Sequence, residues 1–187
     1  MVSGWLRDER NDAAVERILD AAGQLFAERG VAETGMAEVA RAAGCSRATV
    51  YRYFDNRQAL RLAFVHRAAR RLGAEVVEEV AEIDDPVERI IAAMLAAVHA
   101  VRAEPLLIAW FTPANAGFAG DIGQSSAVIE AMAGNFIGAH GSEPPPLARW
   151  ITRVIVSLLT APGRDAAEER AMLEEFVAPL LQGVPAT

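Results

Sequence analysis

The sequence contains a single cysteine, Cys45, and no lysine among its 18 basic residues. A lone cysteine excludes a disulfide within the chain and favours a reducing compartment, so we expect a cytoplasmic protein. No apolar run approaches the roughly 20 residues that a membrane-spanning helix needs. We expect no signal peptide either, because charged residues at positions 7–10 interrupt any apolar core near the start.

Sequence motifs of catalysis and of metal binding are missing as well. The chain has no GxSxG, GxGxxG, P-loop or HExxH pattern. Its three histidines, His66, His99 and His140, are widely spaced, and none has a cysteine or carboxylate at the spacing of a metal site. We therefore expect neither an enzyme nor a bound metal or cofactor.

Aromatic residues are few, at 6% of a chain that is 52% hydrophobic. This composition favours helices, and no strand-like alternation of apolar and polar residues occurs. Apolar spacing, helix caps and glycine or proline breaks predict an all-α chain of about nine helices. Their expected ranges are 13–29, 34–43, 46–54, 57–83, 86–103, 105–112, 125–140, 147–160 and 165–182, with Pro179 bending or shortening the last.

Charge is distributed unevenly along the chain. Residues 1–71 carry 12 arginines against 9 acidic residues, whereas residues 72–187 carry 6 against 16. Within residues 39–71 there are eight arginines and a single acid, Asp55. Such a basic patch drives salt-dependent binding to DNA phosphates, so the net charge of −7 does not exclude a DNA-binding protein.

The basic stretch also contains the pattern of a helix-turn-helix. Gly44 can take the left-handed conformation that ends a helix over 34–43. Ser46 can cap the following helix, in which Val50 and Phe54 form an apolar stripe. The two short helices and the turn between them are therefore predicted from local signals alone.

The second of these helices has a polar side that suits the major groove of DNA. On a helical wheel Arg52 lies opposite the apolar stripe, with Ala48 and Thr49 beside it. We expect Arg47, Thr49 and Arg52 to face the groove. Arg52 or Arg47 is the candidate for bidentate readout of a guanine.

Several short groups of residues follow one another at a specific combined spacing. They are Thr34-Gly35-Met36-Ala37-Glu38-Val39-Ala40, Ala43-Gly44-Cys45-Ser46, Thr49-Val50-Tyr51-Arg52-Tyr53-Phe54, Arg57 and Ala59-Leu60. This series resembles the N-terminal domain of the TetR family of transcriptional regulators. It departs from the family at Cys45, Val50 and Arg57, where valine, leucine and lysine are usual, but it keeps the chemical type at all three.

The resemblance implies a helix-turn-helix DNA-binding domain at 1–56 and a helical ligand-binding and dimerisation domain at 57–187. It places Ser46, Tyr51, Tyr53 and Arg57 at positions that hold the phosphate backbone. The complete set of predicted DNA-binding residues is Thr34, Ser46, Arg47, Thr49, Tyr51, Arg52, Tyr53 and Arg57.

The last two predicted helices are each too apolar to be buried against a single neighbour. Apolar residues at alternating spacings of three and four are Leu147, Ile151, Val154 and Leu158 on one helix and Leu173, Phe176 and Leu180 on the other. A core within the chain can cover part of these stripes. The resemblance implies that the rest forms a four-helix interface with a second copy, so we expect a homodimer.

The resemblance also implies a ligand pocket among the middle helices. Its candidate lining residues are Met94, His99, Trp110, Phe111, Phe118, Met132 and Phe136, although for any one of them taken singly an ordinary core position is the favoured interpretation. The lining has no cluster of charges, which favours an apolar or amphipathic small-molecule effector. Arg102 and Glu104, near a helix end, are expected to face water.

Together with the helix-turn-helix, the resemblance implies a ligand-responsive repressor that a hydrophobic effector releases from a palindromic operator in double-stranded DNA. The alternative is a helix-turn-helix activator or architectural DNA binder that has no small-molecule effector. An enzyme or a protein-docking helical module is the rival from another class. The missing catalytic motifs argue against an enzyme, and the basic stretch argues against a module that only docks proteins.

Overall fold

The computed structural model describes residues 5–112, 127–137 and 146–181, with side chains from residue 11 onward in the first range and 128 onward in the second. Within these ranges the chain forms ten α-helices and one 3-10 turn, and no strand. The all-α fold class is therefore confirmed. The helices are α1 (Trp5–Arg29), α2 (Met36–Ala42), α3 (Arg47–Tyr53), α4 (Arg57–Glu79), α5 (Pro86–Ala103), α6 (Pro105–Ile108), α7 (Ala127–Phe136), α8 (Pro146–Thr160), α9 (Ala166–Phe176) and α10 (Ala178–Leu181), with the 3-10 turn at Ala109–Phe111.

Several helix boundaries differ from the predicted ones. The segment predicted as one helix over 105–112 is a short α-helix, Pro105–Ile108, followed by the 3-10 turn Ala109–Phe111. Helix α1 begins at Trp5 instead of near residue 13, because its first turns are polar and carry no apolar period that would reveal them. Helix α4 ends at Glu79 and continues as a turn, in which the amide of Ile83 donates to the carbonyl of Val80 at 3.2 Å. The last predicted helix is divided at Val177, just before Pro179, since proline cannot continue a helical hydrogen-bond ladder.

The chain divides into two compact units, Met1–Val65 and His66–Thr187. In the first unit α2 packs against α1 and α3. The start of α4 belongs to this unit, because Phe64 stacks edge-to-face on Phe26, with ring centroids 5.4 Å apart and planes at 79°. The predicted boundary at residue 56 divides a DNA-binding domain from a ligand-binding and dimerisation domain, and this functional division stays a prediction.

Helix α5 is the central element of the second unit. It packs against α6, α8, α9 and α10, and α7 packs against α8. Its buried side chains Met94 and Val98 belong to one core cluster with Ile151, Leu158 and Leu173. Local signals fix both of its ends: the carboxylate of Asp85 accepts from the amide of Glu88 at 2.7 Å, and a proline at 105 begins the next helix.

No single helix in the described part of the chain is long and apolar enough to cross a membrane. Helix α5 and the segment from α6 to the 3-10 turn meet at a bend of 93° and pass the length and composition criteria only as a pair. Six residues of α5 are buried inside the second unit.

Candidate functional site

The turn between α2 and α3 is closed by two backbone hydrogen bonds. Gly44 has φ of +65°, a conformation that favours glycine. The amide of Gly44 donates to the carbonyl of Arg41 at 3.2 Å, and that of Cys45 donates to the carbonyl of Ala40 at 2.9 Å. This pair of bonds is the Schellman arrangement, which satisfies carbonyls that a helix end would leave open.

Helix α3 begins with a side-chain cap and has one buried face. The hydroxyl oxygen of Ser46 accepts from the amide of Thr49 at 3.0 Å, and the two hydroxyl groups lie 2.9 Å apart. Val50 is fully buried, whereas Arg47 and Arg52 are both exposed. Both arginines therefore lie on the exposed part of α3, and their contact with DNA stays a prediction.

Arg52 is not free on that surface. Its guanidinium carbon lies 4.9 Å from the ring centroid of Tyr53, and its Nη2 donates to the hydroxyl oxygen of Tyr53 at 3.1 Å. The Tyr53 hydroxyl in turn donates to Oδ1 of Asn11 on α1 at 2.9 Å. Sequence analysis missed Asn11, because it lies 42 positions from Tyr53 and in the part of α1 that carries no apolar period.

Two predicted contributors to the basic or DNA-binding surface are buried in the first unit. Arg61 is 4% exposed and donates to the carbonyls of Val31 and Ala32. Burial lowers the pKa of Arg61, and the nearby charge of Arg57 lowers it further. Thr34 is 1% exposed, and its hydroxyl donates to the carbonyl of Gly30 at 2.9 Å.

Arg57 and Tyr51 remain accessible in the first unit. The side chain of Tyr51 is 44% exposed on α3. Arg57 is exposed at the start of α4, and one of its Nη atoms donates to the carbonyl of Ala32 at 3.0 Å. Because a guanidinium has five donors, this bond leaves Arg57 able to contact a phosphate as well.

The predicted pocket residues are separated by the structure into three groups. Met94 and Trp110 are buried, whereas Phe111 and Phe136 are half-buried and pack against the core cluster that contains Met94. His99 is exposed on α5 and does not join them. Phe118 lies outside the described residues.

Met132, the remaining pocket candidate, lies beside a glycine of α4. A Cβ atom added at Gly73 would meet the terminal methyl group of Met132. Helices α4 and α7 therefore approach closely at this point, which only a residue without a side chain permits while Met132 keeps its position.

The predicted dimer residues also divide by exposure. Ile151, Leu158 and Leu173 are buried in the core of one chain, and Leu147 and Val154 pack against that core. Phe176 and Leu180 are instead exposed at 62% and 55%. Among the seven predicted interface residues, large apolar side chains left exposed by the described part of the chain occur at the C-terminal end, at Phe176 and Leu180.

An ion pair that sequence analysis missed joins α5 to α9. Nη2 and Nη1 of Arg102 donate to the two carboxylate oxygens of Glu169 at 2.7 and 2.9 Å. Nη2 also donates to the carbonyl of Leu158 at 2.9 Å, and the amide of Gly163 donates to Glu169 at 2.9 Å. The expectation that Arg102 faces water is therefore wrong, because its guanidinium is held by these partners.

The electrostatics of this pair favour the charged form of Glu169, which is only 2% exposed. The hydrogen bonds from Arg102 lower the pKa of Glu169 below its ordinary value, against the opposing effect of burial. One signal for such a pair does exist in the sequence: Glu169 lies four and eight residues before the apolar Leu173 and Val177, on the same helical stripe.

No metal site is formed by the residues for which the structure gives side chains: none of them makes a group of three or more histidine, cysteine, aspartate or glutamate residues that could hold an ion.

Comparison with known proteins identifies the family that this chain resembles. Residues 18–64 match the family model described as bacterial regulatory proteins, tetR family. An uncharacterized HTH-type transcriptional regulator of Mycobacterium tuberculosis (strain ATCC 25618 / H37Rv) is 47% identical over 181 residues, which cover 95% of this chain and 90% of that protein.

Solved structures share the fold over nearly the whole chain. The TetR family repressor AlkX from Dietzia sp. strain DQ12-45-1b, implicated in biodegradation of n-alkanes, has a TM-score of 0.67 at 24% identity, with 90% of this chain and 95% of that chain covered. RolR in complex with resorcinol has a TM-score of 0.66 at 18% identity, with 96% and 98% covered.

Proposed function

Because this chain belongs to the TetR family of bacterial transcriptional regulators, we propose that it is a homodimeric repressor. In this proposal the repressor leaves its operator when it binds an apolar small molecule. The observation that carries the proposal is the first unit's exposed recognition helix. Helix α3 is capped by Ser46, anchored by buried Val50 and preceded by a closed turn, so Arg47 and Arg52 are presented on a fixed helix.

DNA contacts are divided by chemistry into two sets. Arg52 and Arg47 read base edges, because a guanidinium can donate two parallel hydrogen bonds to guanine in the major groove. Ser46, Tyr51 and Arg57 hold the phosphate backbone, which fixes position without reading sequence. Thr34 supports the end of α1 through its bond to Gly30 and acts on DNA only indirectly.

Dimerisation is supported by the apolar side chains at the end of the chain. Phe176 and Leu180 are more than half exposed and lie four positions apart in the chain, on either side of the break between α9 and α10. In a dimer with two-fold symmetry, the patch of one copy packs against the same patch of the other, so both copies bury these side chains. Such a dimer presents two α3 helices, which matches a palindromic operator.

The effector is proposed to bind among the residues of the second unit that surround Met94, Phe111, Met132 and Phe136. Aromatic rings and flexible thioethers dominate this set, which favours an apolar or amphipathic molecule. RolR, a protein of the same fold, is solved with the small aromatic molecule resorcinol. At 18% identity this likeness shows the shared fold alone, so resorcinol itself is not proposed as the ligand.

Release of DNA is proposed to proceed through α4. This helix contributes residues 57–65 to the first unit and 66–79 to the second. An effector can shift the equilibrium only if it binds the released state more tightly than the DNA-bound state. The close approach of Met132 to Gly73 gives an effector beside α7 a direct means of displacing α4.

The test begins with a gel shift on duplexes from beside the coding region, at several salt concentrations. Affinity should fall as salt rises, because bound arginines displace counterions. Arg52→Ala should relax preference by about 1–3 kcal/mol at one base pair. Arg164→Ala is the matched control, since this arginine is 86% exposed in the second unit and carries the same charge. Salt-independent binding, or equal losses for the two variants on every sequence, would refute the assignment.

A second arm separates the repressor from the alternative, a DNA binder without effector. Apolar and amphipathic compounds are screened by thermal shift, because a ligand that binds the native state raises its melting temperature. The same compounds are then titrated into the DNA complex. An effector should do both, raising the melting temperature and releasing DNA. Compounds that stabilise the protein but leave the DNA complex intact favour the alternative.

A further inference from the structure

The hydroxyl group of Tyr53 is used within the protein. It donates its only proton to Oδ1 of Asn11 at 2.9 Å and accepts from Nη2 of Arg52 at 3.1 Å. A tyrosine must donate that proton to bind a phosphate oxygen, because the phosphate at the backbone offers only acceptors. While the bond to Asn11 persists, Tyr53 cannot serve as a phosphate donor, which is the role that the family resemblance assigns to it.

Arg52 is held by the same tyrosine in two ways. Residues adjacent in a helix normally point about 100° apart. The Arg52 side chain nevertheless folds back, so that its guanidinium carbon stands 4.9 Å from the ring centroid of Tyr53 while Nη2 reaches the hydroxyl. The stack and the hydrogen bond together restrict a long side chain that otherwise loses much rotamer entropy on binding.

Asn11 links this arrangement to a different helix. It belongs to α1, whereas Arg52 and Tyr53 belong to α3, and both helices lie in the first unit. Because Asn11 accepts from the phenol, it fixes the direction of the O–H bond and leaves an oxygen lone pair toward Arg52. The relay therefore runs from Asn11 through Tyr53 to the guanidinium.

We propose that Asn11 and Tyr53 are positioning residues for Arg52, so that Tyr53 sets sequence selectivity through the guanidinium and does not contribute phosphate affinity. The inference rests on the proposed DNA-binding function and assigns Tyr53 a different role from Tyr51. Tyr51 lies two residues earlier on the same helix with 44% exposure, and it keeps the backbone role.

The experiment compares two identical substitutions, Tyr53→Phe and Tyr51→Phe, in the full chain. Duplexes selected from a randomised library first identify the base pairs at which Arg52→Ala loses preference. Competition binding then measures discrimination at those pairs and overall affinity on a scrambled duplex. Thermal melting of each variant checks that the fold is retained.

Tyr53→Phe should lower discrimination at the Arg52 positions about two- to tenfold, which corresponds to one hydrogen bond. Its affinity for scrambled DNA and its salt slope should stay at the wild-type values. Tyr51→Phe should instead weaken all sequences alike. Asn11→Ala should lower discrimination at the same base pairs and should add nothing to that loss in the Arg52→Ala background. Unlike Tyr53→Phe it frees the phenol proton, so its affinity for scrambled DNA should rise or stay level. Asn11→Asp keeps an acceptor, so discrimination should persist while its negative charge weakens binding to every sequence.

The proposal is overturned if Tyr53→Phe behaves like Tyr51→Phe, with uniform weakening and unchanged preference. It also fails if Asn11→Ala lowers discrimination equally in the wild-type and Arg52→Ala backgrounds, since the two residues would then act independently. Absence of salt-dependent DNA binding in the wild-type protein would refute the proposed function instead, which keeps the two failures distinct.

Discussion

Replacing Arg102 with alanine should destabilise the second unit more than replacing its partner Glu169. In Arg102→Ala the Glu169 carboxylate keeps one bond, from the amide of Gly163, but its side chain is only 3% exposed and loses both bonds to the guanidinium. Removing one partner of a buried pair costs about 3–5 kcal/mol, because the other charge stays buried without compensation.

Glu169→Ala leaves the opposite charge, which is easier to hydrate. The Arg102 side chain is 33% exposed and keeps its bond to the carbonyl of Leu158 at 2.9 Å. The expected loss is smaller, about 1.5–3 kcal/mol, the range for hydrogen bonds to charged groups. The double variant should lose less than the sum of the single ones, because neither charge is then left alone.

Urea unfolding at a fixed protein concentration measures these differences, and pH tests their origin. In the wild-type protein the folded-state pKa of Glu169 lies below its ordinary 4.5, so the stability that Glu169 contributes is present above pH 4.5 and is lost as pH falls through the folded pKa. In Arg102→Ala burial should dominate and raise that pKa. The deficit of the variant should therefore shrink as pH is lowered from 7 toward 5.

Three outcomes contradict this reasoning. A loss below about 1 kcal/mol for Arg102→Ala would mean that the pair is hydrated or replaceable. Equal losses for the two single variants would remove the asymmetry that follows from their exposure. A deficit that grows on acidification would have the wrong sign for a carboxylate stranded in the core.

Three further predictions follow from exposure, close contact and capping. Phe176→Asp should change the sedimentation from that of the proposed dimer to that of a folded monomer, and a Phe176→Asp dimer would contradict the interface. Leu158→Asp, at a 6% exposed position, should instead lower the melting temperature sharply. Gly73→Ala should stabilise the protein by about 0.5–1 kcal/mol in urea unfolding, but only when Met132 is also replaced by alanine, because the added Cβ meets the terminal methyl group of Met132. Equal effects of Gly73→Ala with Met132 present and with Met132→Ala would show that this methyl group moves freely. Ser46→Ala should cost about 1 kcal/mol in the same assay, and a neutral result would show that the cap is dispensable.

Features set by near neighbours in the chain could be predicted from the sequence. Gly44 has the expected left-handed conformation, and Ser46 and Asp165 cap α3 and α9 through amides three residues onward. The break before Pro179 was expected as well. In each case the physical cause lies within a few positions, so the residue types and their order are sufficient.

Features that join distant segments could not be predicted in this way. Arg61 counted toward a basic patch, yet it is buried against carbonyls about 30 positions earlier in the chain. Arg102 and Glu169 are 67 positions apart, and Asn11 and Tyr53 are 42 apart. A charged residue has the same sequence signature whether it faces water or a buried partner, so only the folded structure separates the two.

The closed turn at Gly44 and the capped start of α3 bear on the heat of DNA binding. Both are formed in the free chain, so the recognition helix need not fold on the operator. Coupled folding adds a large negative heat-capacity change, because it buries surface inside the protein as well as at the interface. Isothermal titration at several temperatures should therefore give a heat-capacity change that the protein–DNA contact area alone accounts for.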